Sequence, residues 1–231
     1  MNNPNTYVPL DINDIVFSND NDRILIEQII SKKYPFPAFG VNGILLYGPP
    51  GVGKTTLARM LPNAIEKTPP GHSANEMFVR VSSGSNDMAT LNNIQNAASR
   101  VPWGSSQHYF VLDEVDNLTV LAKDALKVAM AYPHTVFIFT TNNFHKIDDA
   151  VKNRCHCIEM AIAAPEKWLN LVKRILKDNG VSGIPDAVLI DVIKRCRGSA
   201  RQIISEIHKI IILGRAKVGK LDTKPSTVET F

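Results

Sequence analysis

Short apolar runs alternate with amphipathic stretches along the chain up to about Pro165. Four runs are rich in aliphatic, β-branched or aromatic residues, as buried strands are, and they cover residues 43–47, 77–82, 109–112 and 135–141. Between them, apolar residues recur at helical spacing over residues 52–64, 89–100 and 122–130. Strands that alternate with helices predict an α/β fold, a parallel sheet with helices on both faces.

After Pro165 the pattern is helical only. Pro165 is suited to the first turn of a helix, and apolar residues then recur three and four positions apart until Asn179 and Gly180. Two more helices are predicted at residues 186–196 and 200–213. We therefore expect three regions: an α/β nucleotide-binding domain at 1–163, a small all-helical lid at 164–218 and a flexible polar tail at 219–231.

Composition narrows the class of protein. The chain has 231 residues, of which 44% are hydrophobic and 21% charged, so it can bury a core and wholesale disorder is not expected. A net charge of +4 is compatible with a nucleic-acid partner but does not require one. Three cysteines and a polar, asparagine-rich start favour a reducing intracellular location, cytoplasmic or nucleoid-associated. No apolar run has the ~20 residues that span a bilayer, so no membrane partner is expected.

The most specific motif is GPPGVGKT at residues 48–55, which fits the P-loop pattern G-x-x-x-x-G-K-[ST]. It lies between a predicted strand and a predicted helix, where backbone N–H groups and the helix N-terminus can surround phosphates. Lys54 is expected to reach the β- and γ-phosphates of ATP, and the Thr55 hydroxyl is expected to bind Mg²⁺. The predicted nucleotide-binding residues of this segment are Gly48, Pro49, Pro50, Gly51, Val52, Gly53, Lys54, Thr55 and Thr56.

Two carboxylates follow the third predicted strand. Asp113 is expected to hold the metal, directly or through water, and Glu114 is expected to polarise the attacking water. The sequence from Asp113 to Asp116 also resembles the DExD box of two-lobed helicases, but the chain is too short for a second lobe.

The fourth predicted strand ends in four polar residues, 140–143. An amide from Asn142 would lie beside Glu114 across neighbouring strand ends, where it could orient water or sense the γ-phosphate. The alternative is simple capping of the loop, since asparagine is common after strands.

In this order the motifs resemble the small subunits of replication clamp loaders, the replication factor C group of AAA+ ATPases. The segments that carry the resemblance are 7–16, 48–56, 113–130, 142–155 and 198–201. The resemblance implies that Val16 lies against adenine, that Arg154 is an arginine finger reaching the ATP site of the next subunit, and that Arg201 is a second nucleotide sensor. It implies hydrolysis of Mg-ATP in a ring or spiral of subunits that binds DNA. The implied ring partners are a sliding clamp, a helicase or a larger loader subunit.

The sequence also departs from that family. The family's helical collar domain has no counterpart in the printed residues, and Asn153 stands where the family has serine beside the finger. The DNA-facing segment, here 82–86, has no charge. Basic side chains elsewhere can form a DNA-binding face or an ordinary solvated surface, namely Arg80, Arg100, Lys123 and Lys127. A helicase loader, or an ATP-driven assembly switch in transposition or defence, is therefore the alternative function.

Overall fold

A parallel five-stranded sheet is the central element of the computed structural model, which describes residues 7, 9, 11–69, 71–82 and 87–221. The strands are β1 (Gly43–Tyr47), β2 (Glu76–Arg80), β3 (His108–Asp113), β4 (Thr135–Thr141) and β5 (Cys155–Glu159). Their order in the sheet is β2-β3-β4-β1-β5, and every pair is parallel. The predicted fold class is confirmed.

Helices connect the strands and continue after the sheet. Those within the sheet region are α1 (Asp20–Ile30), α2 (Lys54–Glu66), α3 (Asp87–Ala98), α4 (Val120–Ala129) and α5 (Asp149–Lys152). Those after it are α6 (Pro165–Asp178), α7 (Asp186–Arg195) and α8 (Ala200–Leu221). Among these described helices, none is both long and apolar enough to cross a membrane.

Alternating side chains of the strands build two separate cores. Ile44 and Leu46 of β1 pack with α1 and α2 on one face, while Leu45 packs with α3 and α4 on the other. On β4, Ile138 joins the first core and Phe137 the second. All of these side chains are fully buried, and such burial of the strands on both faces is why they read as continuous apolar runs.

The chain divides into two compact units. One spans Pro9–Ala163 and contains the sheet, and the other contains Ala164 onward together with the start of the chain. Tyr7 belongs to the second unit, where its backbone N–H donates to the His208 ring at 2.9 Å, whereas the sequence placed it in the first domain.

Four elements differ most from the sequence prediction. β5, α1 and the short α5 were not predicted, and α8 runs to Leu221 rather than ending near residue 213, so that it includes the first three residues of the predicted tail. β5 was not predicted because it lies at the edge of the sheet and its sequence, CHCIE, contains polar residues and cysteines in place of an apolar run. The remaining tail, 222–231, and most of the segment 82–86 lie outside the described residues.

Candidate functional site

The P-loop joins β1 to α2, and two of its glycines are needed for backbone reasons. Gly48 has φ +142°, and a Cβ placed there would collide with the backbone carbonyl of Met160. Gly53 has φ +101° and directly precedes α2. Both values lie in the region that favours glycine, so the loop can turn tightly and present the N-terminus of α2.

Lys54 is the first residue of α2, and its side chain turns back onto the P-loop. Its side chain is buried, and Nζ donates to the carbonyl oxygens of Gly48 at 2.8 Å and Pro49 at 2.7 Å and to Oδ1 of Asn142 at 2.8 Å. Burial lowers the pKa of Lys54, although nearby carboxylates, Asp113 first among them, act in the opposite direction. All three acceptors are oxygen atoms, the type of partner that a phosphate group also offers.

The Asp113 carboxylate accepts hydrogen bonds from two hydroxyl groups, one on α2 and one on β4. Thr55 Oγ1, in the first turn of α2, donates to Asp113 Oδ1 at 2.6 Å, and Thr140 Oγ1, on β4, donates to the same oxygen at 2.6 Å. Asp113 and Thr140 are both buried. A hydroxyl and a carboxylate in contact beside a lysine are hard oxygen ligands, so these residues fit Mg²⁺ bound together with phosphate oxygens.

Glu114 adopts a backbone conformation that is uncommon for a residue with a side chain. Its φ and ψ are 60° and 46°, and its N–H donates to Thr140 Oγ1 at 3.0 Å. The turn directs the carboxylate toward β2, where Arg80 Nη2 lies 3.1 Å from Oε1. From the sequence, Arg80 was expected only as part of a basic face or of an ordinary solvated surface. Its pairing with Glu114 follows from β2 lying next to β3, with Arg80 opposite Asp113, which the motifs do not reveal.

The Asp116 carboxylate also accepts two side-chain hydrogen bonds, from residues at and just after the end of β4. Its carboxylate accepts from Thr141 Oγ1 at 2.8 Å and from Asn143 Nδ2 at 2.7 Å. Burial alone would raise the pKa of Asp116, but the hydrogen bonds from Asn143 and Thr141, together with its own backbone N–H and the charge of Lys146, lower the pKa overall. In the sequence, Asp116 stands out only as the last residue of the segment that resembles a DExD box, and no motif predicts these contacts.

Four of the predicted site residues therefore meet at one edge of the sheet. Lys54, Thr55, Asp113 and Asn142 are linked by hydrogen bonds at the carboxyl ends of β1, β3 and β4. Beside them is a cleft of about 550 Å³ lined by Tyr47, Gly48 and residues 142–146. The carboxyl edge of a parallel sheet is where ligands bind in open α/β folds.

Three other predicted site residues, Arg154, Val16 and Arg201, lie elsewhere. Arg154 immediately precedes β5 and is half-buried, and its Nη1 donates to the Lys127 carbonyl at 2.9 Å. Val16 is half-buried in the segment before α1. Arg201 is exposed in the first turn of α8, within the helical unit.

Residues 44–165 match the AAA family, the ATPase family associated with various cellular activities, and the chain belongs to that family. The predicted AAA+ ATPase class is thereby confirmed. Within it, the sequence is 28% identical over 202 residues to replication factor C subunit 3 of Schizosaccharomyces pombe, covering 86% of this chain and 56% of that one. It is 27% identical over 214 residues to the replication factor C small subunit of Methanocella arvoryzae, covering 90% and 63%. The predicted resemblance to this group is confirmed.

Solved structures support the fold. A mutant of Thermotoga maritima RuvB superimposes with a TM-score of 0.66 at 18% identity, covering 87% of this chain and 64% of that one. The chain spans less than two thirds of the length of each of these three proteins.

Proposed function

We propose that this AAA ATPase binds Mg-ATP at the P-loop and hydrolyses it at interfaces between subunits, driving a DNA-replication step. The observation that carries the proposal is the pair of hydrogen bonds, Lys54 to Asn142 and Thr55 to Asp113, at the carboxyl edge of the sheet. A buried ammonium group, a hydroxyl, a carboxylate and an amide are the side chains that phosphoryl transfer from ATP requires.

Each side chain has a defined role in that reaction. Lys54 binds the β- and γ-phosphates, and the P-loop backbone from Gly48 to Thr56 surrounds them. Thr55 and Asp113 would hold Mg²⁺, which when bound neutralises charge on the phosphate oxygens. Glu114 accepts a proton from the water that attacks the γ-phosphorus, as the bond to the bridging oxygen breaks. Asn142, within 2.8 Å of Lys54 Nζ, orients that water.

Arg154 is proposed to act on the ATP of a neighbouring subunit. β5 runs parallel to β1, with Cys155 opposite Gly43 and Glu159 opposite Tyr47. Arg154 is therefore at the amino edge of the sheet, while the P-loop leaves the carboxyl edge, about 13 Å away, because four steps of ~3.3 Å separate the ends of a five-residue strand. This separation favours a finger that acts in trans and so requires an oligomer. Arg201 is proposed as the second sensor and Val16 as an adenine contact, by resemblance.

The replication role is inferred from the relatives. Both curated relatives are named as replication factor C subunits, so we propose that subunits of this chain form a ring or spiral that grips DNA and loads a ring-shaped partner. A sliding clamp is the first candidate for that partner, and a helicase or a larger loader subunit is the next.

The test is steady-state ATP turnover measured over a range of protein concentrations, with and without primed single-stranded DNA. We expect turnover per subunit to rise with protein concentration, because each site needs its neighbour, and to rise further with DNA. Turnover per subunit that is independent of concentration would contradict the shared site. Turnover that ignores DNA would leave the ATPase but favour a switch that acts on a protein partner.

A further inference from the structure

Four consecutive polar residues at and just after the end of β4 each form a side-chain hydrogen bond, and two of the four bonds go to Asp116. Thr140 donates to Asp113, Thr141 donates to Asp116, Asn142 accepts from Lys54 and Asn143 donates to Asp116. Asp116 is thus bound to the residue before Asn142 and to the residue after it. No motif in the sequence assigns this arrangement.

The contacts around Asn142 fix its backbone on both sides. Thr141 is fully buried, and its hydroxyl donates to Asp116 Oδ1 at 2.8 Å while accepting the N–H of Asn143 at 2.9 Å. The side chain of Asn143 donates to the other carboxylate oxygen at 2.7 Å. Asn142 itself is exposed, and Lys54 Nζ is 2.8 Å from its amide oxygen. Two hydrogen bonds to a charged carboxylate are stronger than neutral ones and restrict the loop more.

Asp116 is also tied to the position of Glu114. It lies in the short 3-10 turn Val115–Asn117. Glu114 is the residue that joins this turn to the end of β3. The carboxylate therefore links the turn that carries the proposed base to the loop that carries the proposed water-orienting amide.

We propose that Asp116 is a positioning residue for ATP hydrolysis, which holds the Thr141–Asn143 loop so that Asn142 faces the γ-phosphate site. It acts through Asn142 and does not touch the nucleotide. The proposal rests on the proposed function, since it concerns the rate of the same reaction.

The exchange of Asp116 and Asn143 tests the contact. In Asp116→Asn, the remaining oxygen can still accept a hydrogen bond from Thr141. The new amide NH₂ faces the NH₂ of Asn143, so two donors face each other without an acceptor. In Asn143→Asp, two carboxylates face each other. The double variant Asp116→Asn/Asn143→Asp restores one donor and one acceptor. We expect each single variant to lower kcat about tenfold and the double variant to recover to within about threefold of the wild type.

The readouts separate positioning from folding. ATP affinity, measured with a fluorescent nucleotide, should change little in all three variants, and all three should remain folded at the assay temperature, so that the loss falls on kcat and not on binding. Asp191→Asn is the matched control, because Asp191 is an exposed carboxylate on α7 in the helical unit, and it should leave turnover unchanged. A double variant no better than the singles would overturn the proposal. So would a loss of affinity or of melting temperature that accounts for the loss of turnover.

Failure of the proposed function gives a different result. If the wild type shows no turnover above that of Lys54→Ala, the ATPase proposal fails and the positioning role fails with it. If the wild type hydrolyses ATP and Asp116→Asn does so equally fast, only the positioning role of Asp116 is overturned.

Discussion

Thr140→Val is predicted to destabilise the protein without leaving a cavity. Valine has nearly the shape of threonine but lacks the hydroxyl group. In the wild type this hydroxyl donates to Asp113 at 2.6 Å and accepts the Glu114 N–H at 3.0 Å, on a side chain that is 1% exposed. The variant therefore removes both interactions from a buried position and changes little else.

The magnitude follows from these two contacts. A hydrogen bond to a charged group contributes about 1.5–3 kcal/mol, and a buried N–H left without an acceptor costs about 1–3 kcal/mol. Replacing a hydroxyl by a methyl group returns roughly 1 kcal/mol of apolar burial. We therefore expect the free energy of unfolding to fall by about 1.5–5 kcal/mol, which at about 2–4 °C per kcal/mol for a chain of this size lowers the melting temperature by roughly 3–20 °C.

Urea unfolding and thermal melting of the nucleotide-free protein measure this effect. Thr140→Ser is the control, because it keeps the hydroxyl and loses one methyl group, so its loss should be about 1 kcal/mol. The reasoning would be refuted if Thr140→Val were as stable as the wild type, or if Thr140→Ser were destabilised as much as Thr140→Val.

Three further predictions concern charged side chains. Arg80→Ala should change stability by less than about 1 kcal/mol, since Arg80 is 67% exposed, but should raise basal ATP turnover by releasing the Glu114 carboxylate. Arg154→Ala should lower turnover about 10³-fold or more while the affinity of the monomer for ATP, measured by fluorescence, stays the same. Hydrogen bonds from Ser106 and Tyr109 lower the pKa of Glu66 below 4.5 against the opposing effect of burial. The stabilisation that the Glu66 carboxylate contributes is therefore fully present above pH 4.5 and is lost as pH falls through the pKa of Glu66 in the folded protein. The urea midpoints of the wild type and of Glu66→Gln should therefore converge in acid.

The sequence predicts the strands of the sheet well when both of their faces are buried. β1 and β4 have the predicted bounds because their residues are apolar or β-branched throughout, and all seven residues of β4 are buried. β5 could not be predicted in this way, because three of its five residues are cysteine or histidine and it has only one neighbour in the sheet.

Some contacts of the candidate site could likewise be predicted from the sequence, and others could not. Asp113 and Asn142 could be predicted to meet Lys54, because each lies at or just after the carboxyl end of a strand and Lys54 begins the helix that the P-loop joins to the carboxyl end of β1. Parallel strands bring those ends to one edge. The contacts of Arg80, Thr140 and Asp116 could not, because they depend on β3 lying between β2 and β4. Strand order is set by packing between distant segments, which no local motif records.

The most direct test of the account compares steady-state ATP turnover and ATP binding in the wild type and in Glu114→Gln. The substitution keeps the size of the side chain and removes its basicity. The account predicts that the wild type hydrolyses ATP, while Glu114→Gln binds ATP with unchanged affinity and shows no measurable turnover. Turnover by Glu114→Gln near the wild-type rate would contradict the assignment of the base, and a wild type without turnover would contradict the account as a whole.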